Sequence, residues 1–120
     1  MTANVAKPVV HLELHTGDPA GAGAFYARLC GWRPEWIDVG STSYCALELG
    51  GLPSGGIVEC ECSHPLWLPY VEVASVGEST EQARALGAAV LLEPREGPQG
   101  RRSVVSAPGA GTVALWQPKQ

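Results

Sequence analysis

The first stretch able to do chemistry lies between Val9 and His15, where His11, Glu13 and His15 alternate with Val10, Leu12 and Leu14. Alternation of this kind marks a half-buried strand, because successive side chains on a strand point to opposite faces. Together with Glu59, farther along the chain, His11 makes a candidate acid–base pair, since burial can tune both group types toward neutral pH. The same parity argument sorts other segments. Leu68, Tyr70 and Glu72 oppose Val71 and Val73, while Thr112, Ala114 and Trp116 oppose Val113 and Leu115. Ile57, Glu59 and Glu61 oppose Val58, Cys60 and Cys62. Turning the apolar sets toward helices leaves His11, Glu13, His15, Glu59, Leu68, Tyr70, Glu72, Ala114 and Trp116 on faces that meet solvent or a cleft, with Tyr44 and Glu48 joining them. A mixture of His, Tyr, Trp and Glu, in place of Lys and Thr, favours a cleft over an ordinary solvated face.

Several chemistries are excluded. Gly50-Gly51 and Gly55-Gly56 read as hairpin turns, and Gly21 and Gly23 lie in a helix start, so no phosphate-cradling loop is present. No nucleophile elbow or Ser-His-Asp pattern occurs. Cys30, Cys45, Cys60 and Cys62 contain no C-x-x-C pair, so buried free thiols fit better than zinc or disulfides. Eight basic against twelve acidic residues give a net charge of −4, which supplies no footprint for nucleic acid or an anionic membrane. No apolar run approaches the roughly 20 residues needed to span a bilayer, and the N-terminal ten residues lack a signal-peptide core. A cytoplasmic protein is the expectation.

The elements that must position these residues come in a repeat. Ala27-Arg28-Leu29-Cys30-Gly31 is echoed by Ala83-Arg84-Ala85-Leu86-Gly87, and each copy follows an alternating segment. A period near half the chain implies a duplicated supersecondary unit. In the first copy, Asp18 caps a helix with Pro19 at its first position, an apolar stripe runs through Ala22, Phe25, Tyr26 and Leu29, and Gly31 ends it. Strands follow near 36–39, 44–49 and 55–62, divided by a Gly40-Ser41 turn and a second Gly-rich turn. The second copy places a strand near 68–73, a helix over 78–86 and strands near 89–93, 103–106 and 112–116. The expected class is α+β: residues 1–120 as a single domain of two βαβββ modules, about 8–62 and 66–118, whose curved mixed sheet forms a cleft.

That duplicated unit resembles the vicinal oxygen chelate superfamily of glyoxalase, bleomycin-resistance and extradiol dioxygenase proteins. The resemblance rests on the spacing of Asp18, Phe25-Tyr26 and Gly31-Trp32, on Tyr70-x-x-Val73, on Leu86-Gly87-Ala88, and on 107–111 followed by Leu115-Trp116. One departure is Ala107, where an aspartate often precedes the proline. The resemblance implies four metal-ligand positions, which fall on His11, Glu59, Leu68 and Ala114. Only His11 and Glu59 can coordinate, and zinc sites need at least three protein ligands. No metal or other cofactor is therefore expected, and a divalent metal enters only if another residue completes the set.

Two functions follow as expectations. The first is a metal-independent binding protein for a small molecule, similar to the antibiotic-sequestering members, with Tyr44, Tyr70 and Trp116 as flat surfaces. The alternative is a metal-dependent lyase or dioxygenase of the glyoxalase type, with His11 and Glu59 as its catalytic candidates. The resemblance also implies a homodimer. Glu13, Glu48, Glu59, Glu61 and Glu72 on the cleft-side set, with no Lys or Arg among those positions, suggest a cationic ligand with a planar portion.

Overall fold

In the computed structural model, which describes residues 5–39, 42–97 and 99–119, the order of elements is βαβββ twice. The first copy comprises β1 (Val9–Thr16), α1 (Pro19–Cys30), β2 (Arg33–Val39), β3 (Thr42–Glu48) and β4 (Ser54–Glu59). The second comprises β5 (Leu66–Glu72), α2 (Val76–Ala85), β6 (Ala89–Glu96), β7 (Gly100–Ala107) and β8 (Gly111–Pro118). The chain divides into two compact units, Val10–Leu68 and a second formed by Pro69 onward with the segment ending at Val9. The expected Gly40-Ser41 turn lies outside the described residues.

In the first unit the strands run in the order β2-β3-β4-β1. β2–β3 and β3–β4 are antiparallel, and β1 pairs parallel to β4 from His11↔Ser54 to Thr16↔Glu59. A parallel pair needs a long crossover, and α1 with the β2–β3 hairpin supplies it. α1 begins as its sequence dictates. The Asp18 carboxylate accepts from the Gly21 N–H at 3.1 Å, Pro19 opens the first turn, and Gly31 closes the last at a positive φ of 72°. The core gathers Leu14, Cys45, Leu47 and Ile57, with Ala22, Tyr26, Trp32, Leu49 and Trp67 packed against it. Tyr26 stacks on Trp32 at 5.2 Å and accepts a hydrogen bond from Trp67 Nε1 at 3.3 Å. The expected helix stripe is therefore split. Ala22 and Tyr26 meet the core, while Phe25 and Leu29, one helical step around, are exposed.

The second unit repeats the order as β5-β8-β7-β6, again with one parallel pair, β5–β8, and two antiparallel pairs. α2 starts at Ser75, whose hydroxyl accepts from the Glu78 N–H at 3.2 Å, and the Val76 N–H is satisfied by Gln117 Oε1 at 2.9 Å. Beneath it, the Thr80 hydroxyl donates to the Val76 carbonyl at 2.6 Å and lies 2.8 Å from Ser103 Oγ. Ser103, Val105, Val113, Leu115 and Val71 share that helix-covered face by register.

A polar cluster on the first unit

β1 turns Leu14 into the core, so His11, Glu13 and His15 occupy the opposite face. Glu13 sits between the two imidazoles. Its Oε1 is 2.8 Å from His15 Nε2 and its Oε2 is 3.5 Å from His11 Nε2. All three side chains are largely covered, at 12% exposure for Glu13, 20% for His11 and 25% for His15. The other His11 nitrogen, Nδ1, lies 2.7 Å from Ser54 Oγ, and the Ser54 hydroxyl donates to the Val10 carbonyl at 3.3 Å. A hydroxyl has one proton, so with that proton on Val10 the Nδ1–H of His11 is the donor to Ser54. His11 Nε2 then faces the Glu13 carboxylate.

Tyr44 reaches this cluster because β4 carries glycine at the crossing point. Register sets Glu13 beside Gly56 and Gly56 beside Ala46, on the face that Tyr44 shares. A Cβ at Gly56 would collide with the Tyr44 hydroxyl and come within 3.3 Å of His11 Nε2. Gly55 and Gly56 are thus interior residues of β4, not the hairpin turn expected of them. Burial, reinforced by the Glu13 charge and Cys45, pushes the Tyr44 phenol up to about 12. A phenol at its ordinary value of 10.0 is already a neutral hydrogen-bond donor at physiological pH, and the shift extends that state into alkali.

Glu59 does not join His11. It pairs with Thr16, two residues beyond the Leu14↔Ile57 pair, which puts it on the core-side face of the sheet, exposed at the strand's end. The expected assignment of β4 faces is reversed: Ile57 is buried in the core and Val58 lies beside His15. With glycine at two of its six positions, β4 offered too few side chains for parity to choose a face.

Glu48 shares the Tyr44 face at the far end of β3, where its carboxylate accepts from the Gly50 N–H at 2.8 Å. Arg33 stands directly across from it in the β2–β3 register. In the second unit, Tyr70, Glu72, Ala114 and Trp116 do share one face, since Tyr70 pairs with Ala114 and Glu72 with Trp116. Arg102 lies across from Trp116 on that face. Leu68, Tyr70 and Ala114 are buried. The premise of a cleft set holding carboxylates without arginine therefore fails on Arg33, Arg102 and Glu59, and the cationic-ligand expectation loses its footing. Reading parity through Arg33-Pro34-Glu35 would have exposed the first error.

Among the described residues no three His, Cys, Asp or Glu side chains are placed to hold a metal ion, and no helix is long and apolar enough to cross a membrane.

No protein-family model matches the sequence, and no curated protein matches it. Solved structures do. Methylmalonyl-CoA epimerase from Mycobacterium tuberculosis superposes with a TM-score of 0.67 at 14% identity, over 98% of this chain and 94% of the other. A hypothetical protein from Bacillus halodurans gives 0.71 at 12% identity, over 97% of each chain. Streptomyces coelicolor methylmalonyl-CoA epimerase in complex with 2-nitronate-propionyl-CoA gives 0.64 at 15%, over 93% of this chain and 97% of the other. The chain has the vicinal oxygen chelate fold. The metal that this fold often implies finds a poor donor set here. Leu68 and Ala114 have no ligand atom, and Glu59 is turned away from His11.

Proposed function

We propose that the protein binds a small organic molecule against the His11–Glu13–His15 face, without using a metal. The observation that carries this reading is the cluster itself: Glu13 bridges two largely covered imidazoles beside a tyrosine that stays protonated. Such a set offers a neutral O–H donor and a carboxylate-backed imidazole, suited to a ligand with carbonyl, hydroxyl or carboxylate oxygens. A sequestering role like that of the antibiotic-binding members, in a cytoplasmic homodimer, completes the proposal.

Thermal-shift screening of small molecules tests it, because a ligand that binds only the folded state raises the midpoint by mass action. At least one compound is expected to raise the wild-type midpoint and to lose that effect in His15→Ala and Tyr44→Phe. One tightly held metal per chain, found by elemental analysis after purification without chelator, would overturn the metal-free reading. Light scattering that gives a monomer would remove the dimer.

The superposed epimerases motivate a second reading, proton transfer next to a thioester carbonyl, with the Glu13–His15 pair as the base. Solvent deuterium incorporation into methylmalonyl-CoA separates the two: the binding reading expects none above background.

A further inference from the structure

β6 and β7 arrange their charges differently on the two faces of the second unit's sheet. Ser103 meets Thr80, so the face that Ser103 shares with Arg101 lies under α2. There Glu96 stands across from Arg101 and pairs with it at 3.3 Å, while Glu93 reaches Arg84 of α2 at 2.7 Å. On the opposite face Arg95 stands directly across from Arg102. Side chains so opposed have Cβ atoms about 4.5–5.5 Å apart, and like charges there repel. Both arginines are exposed, and among the described residues neither guanidinium pairs with a carboxylate.

The surroundings of this pair are flat and apolar. Half-buried Trp116 is the next residue across the sheet from Arg102, and the adjacent row of the same face carries Leu92, Val104 and Ala114. Glu72 shares that face but lies beyond Trp116, two strand spacings or roughly 10 Å from Arg102. A guanidinium fork matches a carboxylate in a planar, two-point pair. An aromatic carboxylate is coplanar with its own ring, so its charged end can enter the fork while the ring covers the indole. The geometry points to Arg95, Arg102 and Trp116 as a binding site for an aromatic carboxylate, its anionic end on the arginines and its ring on Trp116. Glu72 excludes a second negative group at the far end. The site is independent of the His11–Glu13–His15 reading, because all its residues belong to the second unit.

The probe is 2-naphthoate, titrated calorimetrically into the full-length protein at low ionic strength. One molecule is expected per chain, and the neutral 2-naphthalenemethanol and the ringless acetate should both bind far more weakly. Arg95→Gln and Arg102→Gln should each weaken 2-naphthoate by about fivefold or more, the loss of one charge-assisted contact, and Arg84→Gln should not. No saturable binding, equal binding of the alcohol or of acetate, or undiminished affinity in either variant of the pair would overturn the site. Urea unfolding without ligand guards against a folding artefact. Arg102→Gln removes a like-charge neighbour, so its midpoint should not fall below the wild type; a fall would show that the guanidinium already has a partner and would also overturn the site.

Discussion

Tyr44 and Gly56 belong together, because the hydroxyl occupies space that any Cβ at 56 would claim. Gly56→Ala must expel the ring, since the Cζ carbon as well as the hydroxyl is in the way and an aromatic ring cannot fold aside. A loss of about 1–3 kcal/mol in urea unfolding is expected, with most of it recovered when Tyr44→Ala is added. An uncoupled pair of losses would show that Tyr44 is placed elsewhere. The same phenol has a signature in alkali. Folded Tyr44 keeps its proton to about 12 while the unfolded phenol releases it near 10.0, so between these values the unfolded state binds fewer protons. The contribution is complete below 10 and drains away as pH rises toward 12. Subtracting a Tyr44→Phe titration from the wild type should leave a phenolate step displaced upward; a step at the ordinary value would refute the burial. His11, Glu13, His15, Tyr44 and Glu48 were legible as one face from alternation alone. Ser54 and Gly56 were not, since a strand that opens Ser-Gly-Gly has too little side chain to signal which face it serves.

Elements differ in how openly they announce themselves. α1 could be read to the residue because Asp18, Pro19 and Gly31 each satisfy a different requirement of a helix end. α2 has an equally plain mark in Ser75-x-x-Glu78, the spacing of a capping box, and it starts two residues before the position expected from its apolar pattern. Its packing rests on a polar pair that periodicity cannot foresee. Thr80 and Ser103 are fully buried, and Thr80 spends its proton on the Val76 carbonyl, so the Ser103 hydroxyl must donate to Thr80 Oγ1. Removal of one partner strands the other. Thr80→Val leaves the Ser103 hydroxyl buried without its acceptor and should cost about 1–3 kcal/mol; Ser103→Ala, which leaves the Thr80–Val76 bond intact, should cost about 1 kcal/mol. The double variant should fall short of the sum, because both members of the bond are then gone. Strict additivity in urea unfolding would argue that the hydroxyls do not meet.

At the scale of the molecule the two units repeat the same strand order with different chemistry. Where β1 carries His11, Glu13 and His15, the corresponding positions of β5 carry Leu68, Tyr70 and Glu72, so duplication of the backbone has not duplicated the acid–base set. The charges divide in the same way. Among the described residues the second unit's ion pairs are peripheral: Arg84 with Glu81 and Glu93, and Arg101 with Glu96, all join side chains at least 41% exposed. Exposed pairs are screened by salt and contribute little to stability. The Glu13 cluster in the first unit is the exception, with a carboxylate 12% exposed held between two imidazoles. Raising salt from about 0.01 to 1 M shortens the screening length from about 30 to 3 Å, which reaches exposed pairs and largely spares covered ones. The urea midpoint of the wild type should therefore move little across that range, and Arg84→Ala should leave it unchanged at either end. Glu13→Gln should lower it at both ends by a similar amount, because the two imidazoles lose a partner that salt cannot replace. A Glu13→Gln deficit that vanishes in 1 M salt would mean that the cluster is solvated like the surface pairs, and that its covered geometry does not hold in solution.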